Sequence, residues 1–364
     1  MEEKARAGAG AELPGPLDAA ATTGRFDDGD EMSTGTGWRD RLKKAWPFEI
    51  LPRAEWAAQT PTWQDANPAV IRAALSRAQR RPGGNWFVFA ASSSIGAQPF
   101  GTSVAGHEVV AWRKPDGALV VAPRACPHLG ADLALAPVDC GELVCPWHGL
   151  RLGQRRHGTW KPFTAHDDGV LCWVRFDDTA EVTPAEVPVV PLRPEQPRIA
   201  AVTRLDGVCE PQDIVANRLD PWHGGWFHPY SFTKLRVLSA PPIDAELPEE
   251  LDKFVVEVTF RIGRLGVPVI AEFTTPGPRT VVMRIVEGEG LGSVVETHAT
   301  PVGVGVDGRP RTAVIEAVIA HSDRTHFGKG LVAAPLIRPA MKQAATRLWR
   351  DDLAYAERLY QLRS

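Results

Sequence analysis

Cys126-Pro127-His128, sixteen further residues and Cys145-Pro146-Trp147-His148 form the stretch from which the rest of this chain is read. Each arm offers one thiolate and one imidazole on a short loop. Such a set suits a [2Fe–2S] cluster in which two cysteines hold one iron and two histidines the other. Neutral imidazoles in place of two thiolates leave the cluster less negative and raise its reduction potential. A Cys2His2 zinc site is the alternative. Zinc modules favour paired C-x-x-C and spaced H-x-x-x-H ligands, whereas each arm here mixes the two types.

The match extends beyond the ligands. The run CPHLGADL over residues 126–133, followed by CPWHG over 145–149, resembles the two cluster-binding loops of the Rieske iron–sulfur domain. The resemblance implies that Cys126 and Cys145 ligate one iron and His128 and His148 the other. Pro127 and Pro146 would stiffen the loops, and Gly130 and Gly149 would permit turns that L-residues disfavour. Quinol-oxidising Rieske proteins carry an extra cysteine in each loop; Gly130 and Trp147 stand in the comparable places here, which argues against that subtype.

With 364 residues and 44% hydrophobic content, the chain can build two cored domains. A net charge of −3 gives no electrostatic reason to expect nucleic acid. Cys140, Cys172 and Cys209 show no paired spacing and are expected to be idle or buried thiols. No signal-peptide core and no apolar run of roughly 18 residues is present, so the expected setting is cytoplasmic, with peripheral membrane contact left open.

Residues 1–36, acidic and poor in large apolar groups, are expected to be a disordered tail. Residues 37–84 read as a helical lead-in. It opens with a basic segment between Trp38 and Trp46 and holds a helix that starts at Asn67-Pro68 and ends before Pro82-Gly83-Gly84. Short strand patterns and a Pro115-Asp116-Gly117 hairpin signal make 85–183 a small antiparallel β domain carrying the metal loops. His107, His157 and His166 find no metal partner there. Prolines over 184–197 suggest an extended linker, and 198–364 forms the second domain.

That domain opens with Asn217-x-x-Asp220-x-x-His223-x-x-x-x-His228. Asn217, Asp220 and His223 share one face of a helix. His223 and His228 are five apart and would not face one ion on an ideal helix. Gly224-Gly225 allows the helix to end or loosen between them, and Pro221 argues that it is distorted. Two histidines plus a carboxylate make the facial triad that leaves positions open on ferrous iron. The carboxylate is sought on a C-terminal helix from Pro339 to about Gln361. Asp352 lies on its apolar stripe, where a carboxylate needs a partner or a metal, and Asp351 lies on a more solvated face.

The order of these motifs, with Asp351-Asp352 followed by Glu357, is similar to that in the catalytic (alpha) subunits of Rieske non-haem iron oxygenases over about residues 85–360. The resemblance implies an α+β chain: an antiparallel β Rieske domain, then a helix-grip (START/Bet v1-like) catalytic domain with a curved antiparallel sheet. It implies one Rieske [2Fe–2S] cluster and one mononuclear Fe(II) held by His223, His228 and Asp352. Glu357 would be the family's trailing glutamate, and Asn217 would lie beside the iron. Asp220 would bond a histidine ligand and, across a subunit boundary, a cluster histidine of a neighbour in a homotrimer. Leu129 departs from the arginine common at its position in the family.

No dinucleotide or flavin fingerprint is read, so electrons are expected from a reductase, directly or through a ferredoxin. The implied activity is oxidation of an apolar molecule by dioxygen: hydroxylation, demethylation or desaturation of a terpenoid, carotenoid, steroid or aromatic ring, with no arginine placed over the iron. The alternative is a Rieske electron-transfer protein whose second domain only binds a lipid-like ligand. His298, His321 and His326 lie in the region that would choose substrate, His298 being the first to test as a contact.

Overall fold

The apolar run Thr312–Ile319 forms the middle of strand β17 (Pro310–His321) in the computed structural model, which describes residues 48–53, 59–178, 184–324 and 327–364. The acidic stretch 1–36, the basic Trp38–Trp46 segment and His326 lie outside the described residues. The middle of β17 is largely apolar because both of its faces are covered, with Glu316 a buried polar exception. Ala313, Ile315, Ala317 and Ile319 pack on Trp86, Val88, Leu171 and Trp173 of the N-terminal β structure. Val314, on the other face, joins the core under the helices with Trp349 and Leu353.

The N-terminal part begins with β1 (Glu49–Ile50) and helix α1 (Pro68–Arg80), whose cap is the expected one: Asn67 accepts from the Ala69 amide at 2.9 Å, with proline next. Three small antiparallel sheets follow. The first joins β2 (Trp86–Ala91), β9 (Thr164–Asp167) and β10 (Leu171–Arg175). The second joins β3 (Phe100–Val104), β4 (His107–Arg113) and β5 (Leu119–Pro123), and the expected turn between β4 and β5 forms at Lys114–Ala118. The third joins β6 (Val138–Asp139), β7 (Glu142–Val144) and β8 (Arg151–Leu152) and carries the second metal loop at its end.

The second part is one antiparallel sheet. β11 (Arg198–Gly207) pairs with β17, followed in order by β16 (Val294–Val304), β15 (Thr280–Gly288), β14 (Leu265–Gly277), β13 (Phe254–Ile262) and β12 (Phe232–Ser239), with β1 added against β14. Between β11 and β12 stand helices α2 (Pro211–Arg218) and α3 (Trp222–Phe227). After β17 come the single turn α4 (Phe327–Gly330) and the long helix α5 (Ala334–Arg363), which lies against β11 and α2.

Three sequence expectations change. The long helix starts at Ala334 rather than Pro339. Pro335 occupies its first turn, where the missing N–H costs nothing, and Pro339 forgoes one intrahelical bond inside it. The His223 segment is two helices rather than one loosened at Gly224-Gly225. The break falls at Leu219–Pro221, because Pro221 lacks an N–H and disfavours helical geometry at Asp220. The two glycines sit inside α3 for another reason: Leu235 of β12 comes within 3.3 Å of where a Gly224 Cβ would be and 3.0 Å for Gly225. Finally, Gly303–Gly308 does spell G-x-G-x-x-G, but it turns the β16–β17 hairpin and opens no helix, so it has no dinucleotide geometry.

Residues 184–197 contain no helix or strand. Arg193 nevertheless turns inward, 5% exposed, and bridges the two parts. It donates to Asp168, between β9 and β10, at 2.7 Å and to Glu296 of β16 at 2.5 Å.

Candidate functional site

The two metal loops share one backbone pattern. The Cys126 amide donates to the Ala131 carbonyl and the Gly130 amide to the Cys126 carbonyl; Cys145 repeats both bonds with Leu150 and Gly149. Gly130 and Gly149 have φ of 79° and 71°, a region closed to most side chains. The pattern presents both cysteines inward, buried, and both histidines outward. His128 and His148 face each other through their Nδ1 atoms at 3.2 Å. Amides of His128 and Leu129 point at the Cys126 sulfur, and those of Trp147 and His148 at Cys145. Paired sulfurs, paired imidazole nitrogens and N–H groups aimed at the thiolates fit a Rieske-type cluster. Around this tip Leu129 and Trp147 are 63% and 59% exposed.

The second site lies where α3, its C-terminal residue and α5 meet. His223 Nε2 is 3.2 Å and His228 Nε2 2.8 Å from the same Asp352 oxygen, and the three ligand atoms lie within 4.8 Å of one another. Asn217 Nδ2 donates to that oxygen at 3.2 Å. The tautomers are set from behind. His223 Nδ1 is bonded to the backbone carbonyl of Asp220, which can only accept. His228 Nδ1 stands 3.2 Å from the Tyr230 hydroxyl, whose own proton goes to Asp351. Both Nδ1 atoms therefore carry hydrogens, and both Nε2 lone pairs face a carboxylate. Such an arrangement asks for a cation between them, and two imidazoles with one carboxylate are the donor set of a ferrous facial triad.

Electrostatics agree. Burial opposes the charge on Asp352, but the two histidines outweigh it and hold the carboxyl well below the usual carboxylate range. Burial likewise opposes a charged His223, and Asp352 outweighs it, raising that ring's pKa. Asp220, buried with less compensation, is pushed above the ordinary aspartate value.

The second site opens on a pocket walled by Leu235, Val256, Val258, Phe260, Phe273 and Met283 from β12 to β15. One residue breaks the apolar wall and corrects the sequence reading: Arg218, the last residue of α2, reaches this pocket. On the outer side, Trp63, Trp226 and Phe227 frame a surface cup whose floor holds Asp220, His223 and Tyr355.

Asp220 holds His223 through its carbonyl. Its carboxylate accepts from Tyr355 at 3.3 Å, lies 3.9 Å from His223 Nδ1, and leaves Oδ1 without a partner. Asp351 lies on the more solvated side of α5, as expected, yet its bond to Tyr230 connects it to His228. Glu357 accepts from the Val208 amide. His298 lines a different recess beside Trp173, bonded to Thr280 and near Glu296, and does not reach the His223 pocket. His321 is tied to the Pro197 carbonyl and Asp323. Sequence reasoning missed Tyr230, Tyr355 and Arg218. Tyr355 had a signal, since it stands three residues after Asp352 on the same helix face.

Comparison with known proteins places these centres in a family. The Rieske [2Fe–2S] domain model matches residues 85–183, and the model described as a domain of unknown function (DUF5914) matches 179–364, just over half of the chain. The chain belongs to the DUF5914 family and carries a Rieske [2Fe–2S] domain ahead of it. The oxygenase subunit of vanillate O-demethylase from Pseudomonas sp. (strain HR199 / DSM 7063) is 35% identical over 72 residues, 20% of each protein. The oxygenase component of dicamba O-demethylase from Stenotrophomonas maltophilia is 26% identical over 159 residues, 39% of this chain and 46% of that one. This DUF5914 chain thus aligns with less than half the length of these curated relatives. Dicamba monooxygenase bound to dicamba shares the fold, with a TM-score of 0.57 at 15% identity over 77% of this chain and 88% of that structure. No helix among the described residues is long and apolar enough to cross a membrane.

Proposed function

We propose that this chain is the terminal oxygenase of a Rieske system, oxidising a compact, largely apolar ring compound with dioxygen and electrons delivered by a separate reductase, directly or through a ferredoxin. The observation that carries the reading is the approach of His223 and His228 Nε2 to one Asp352 oxygen at the edge of an apolar pocket. A chain that only relays electrons has no use for that triad. When bound, ferrous iron supplies open coordination positions for dioxygen chemistry, and the Rieske cluster supplies electrons singly.

The chain's own residues prepare that site. The Asp220 carbonyl and the Tyr230 hydroxyl fix the tautomers of the two histidines, and Asn217 steadies the Asp352 carboxylate. The walls from β12 to β15 exclude water and seat an apolar ring. The names of the relatives, demethylases of vanillate and dicamba, support a small aromatic over the longer carotenoid considered from sequence.

We extend the reading to a head-to-tail homotrimer in a cytoplasmic setting. The exposed tip of Leu129 and Trp147 and the aromatic cup above Asp220 are surfaces of the kind that such a ring would bring together. None of the five cysteines is paired in a disulfide, in keeping with a reducing compartment.

Anaerobic purification tests the function. The expected outcome is about three irons and two acid-labile sulfides per chain, a visible cluster spectrum, and dioxygen consumption with a surrogate reductase. Two irons and no dioxygen use would leave only the electron-transfer reading standing. Asp220→Asn should retain both metals while product formation falls by about 10- to 100-fold.

A further inference from the structure

Arg218 is the last residue of α2, next to Asn217, and its side chain is 15% exposed. Among the described residues its guanidinium makes no hydrogen bond, and its buried Nε has no partner at all. The nearest carboxylate, Glu316 of β17, is 3.9 Å away, beyond hydrogen-bonding distance. The same Glu316 oxygen is already taken, accepting from Trp349 Nε1 at 2.6 Å and Thr297 Oγ1 at 3.2 Å. Burial pushes the Glu316 carboxyl toward its neutral form despite the nearby Arg218. The guanidinium lies over the rings of Phe273 and Trp349, at 5.8 to 5.9 Å, which hold its plane without using its N–H groups. The terminal N–H groups of the guanidinium are therefore left for whatever enters the pocket that also contains His223, His228 and Asp352.

We propose that Arg218 is a specificity-determining residue that receives a carboxylate of the substrate, so that the pocket takes an apolar ring acid rather than a neutral hydrocarbon. The inference rests on the oxygenase reading for the word substrate, but not for the binding itself. The hydrophobic walls take the ring, the guanidinium takes the carboxylate as a charge-assisted and commonly bidentate pair, and the ring's orientation toward the triad follows from where its acid group is anchored. A neutral ligand would leave the buried donors unpaired, and that penalty is the source of the discrimination.

Calorimetric titration of the full-length holoprotein with matched pairs tests this: benzoate against toluene-like neutral isosteres such as methyl benzoate and benzyl alcohol, and 1-naphthoate against 1-naphthalenemethanol. Acids should bind the parent protein about tenfold or more tighter than their neutral partners, as charge-assisted hydrogen bonds predict. Arg218→Met should erase that ratio with little change for the neutral partner, and Arg218→Lys should keep part of it. Melting curves of each variant verify folding. Equal binding of acids and neutral partners, an unchanged ratio in Arg218→Met, or failure of every acid to bind at millimolar concentration would overturn the proposal. Iron counts and dioxygen uptake on the same preparations keep the two readings apart. A normal iron count without acid preference defeats this inference alone; acid preference without the third iron defeats the oxygenase reading alone.

Discussion

The phenol ring of Tyr355 lies flat against the imidazole of His223, centroids 5.7 Å apart and planes 13° from parallel. Its hydroxyl reaches the Asp220 carboxylate at 3.3 Å. One side chain thus positions His223 by its face and Asp220 by its edge. Tyr355→Phe should keep the stacking and the iron while altering turnover, because only the bond to Asp220 is lost. Tyr355→Leu should loosen the ring and weaken iron binding by about tenfold, read by competition with a chelator. Equal iron affinity in both variants would show the stacking to be incidental.

Tyr230 fixes His228 by accepting from Nδ1 while donating to Asp351. Tyr230→Phe removes the acceptor, so the ring can turn or change tautomer. Iron affinity should fall by about 10- to 100-fold, with the cluster spectrum unchanged. Asp351→Asn should have a smaller effect, since an amide oxygen can still accept from the Tyr230 hydroxyl. A larger loss in Asp351→Asn than in Tyr230→Phe would mean that Asp351 acts on the metal directly.

Cys126→Ser and Cys145→Ser separate the two centres. Each should abolish the visible cluster spectrum and both sulfides while about one iron per chain remains at the triad. Loss of all iron from either variant would show that the two sites assemble together.

The Arg193 bridge makes a stability prediction with a definite pH sign. Burial opposes charge on Asp168 and Glu296, but Arg193 outweighs it and both carboxyls sit below their usual range. Groups with depressed pKa stabilise the fold above the unfolded carboxylate range, about pH 4, and that contribution is lost as pH falls through their folded values. Arg193→Met leaves two buried carboxylates without their guanidinium and should cost about 3–5 kcal/mol near neutral pH by denaturant titration. Without Arg193 the carboxylates shift the other way, so the gap between variant and parent should narrow as pH approaches about 4. A gap independent of pH would locate the loss in packing instead of charge.

Sequence and structure meet most closely where chemistry restricts residue type. The Cys126 and Cys145 loops are legible because thiol, imidazole and positive-φ glycine leave few alternatives, and Asp352 because a carboxylate on an apolar stripe needs a partner. The break at Asp220-Pro221 was half-legible: the proline announced it, but the glycines that begin three residues later drew the attention that belonged to Leu235 packing above them. Arg218 and the Tyr230–Asp351 bond were not legible. An arginine at a helix end ordinarily faces water, and only the return of β13 to β15 roofs this one over with Phe273. Tyr230 and Asp351 are 121 residues apart, and their meeting depends on where α5 crosses α3.

β17 presents Ala313, Ile315, Ala317 and Ile319 as a floor for Trp86, Val88 and Trp173. Small and branched side chains alternate along that floor, so its relief is specific to the indoles lying on it. A foreign iron–sulfur half grafted onto this chain would meet the wrong contour and leave voids beneath its own aromatics. The seam thus ties the two halves together by shape, whereas β12 and β13, at the far end of the sheet, take no part in it.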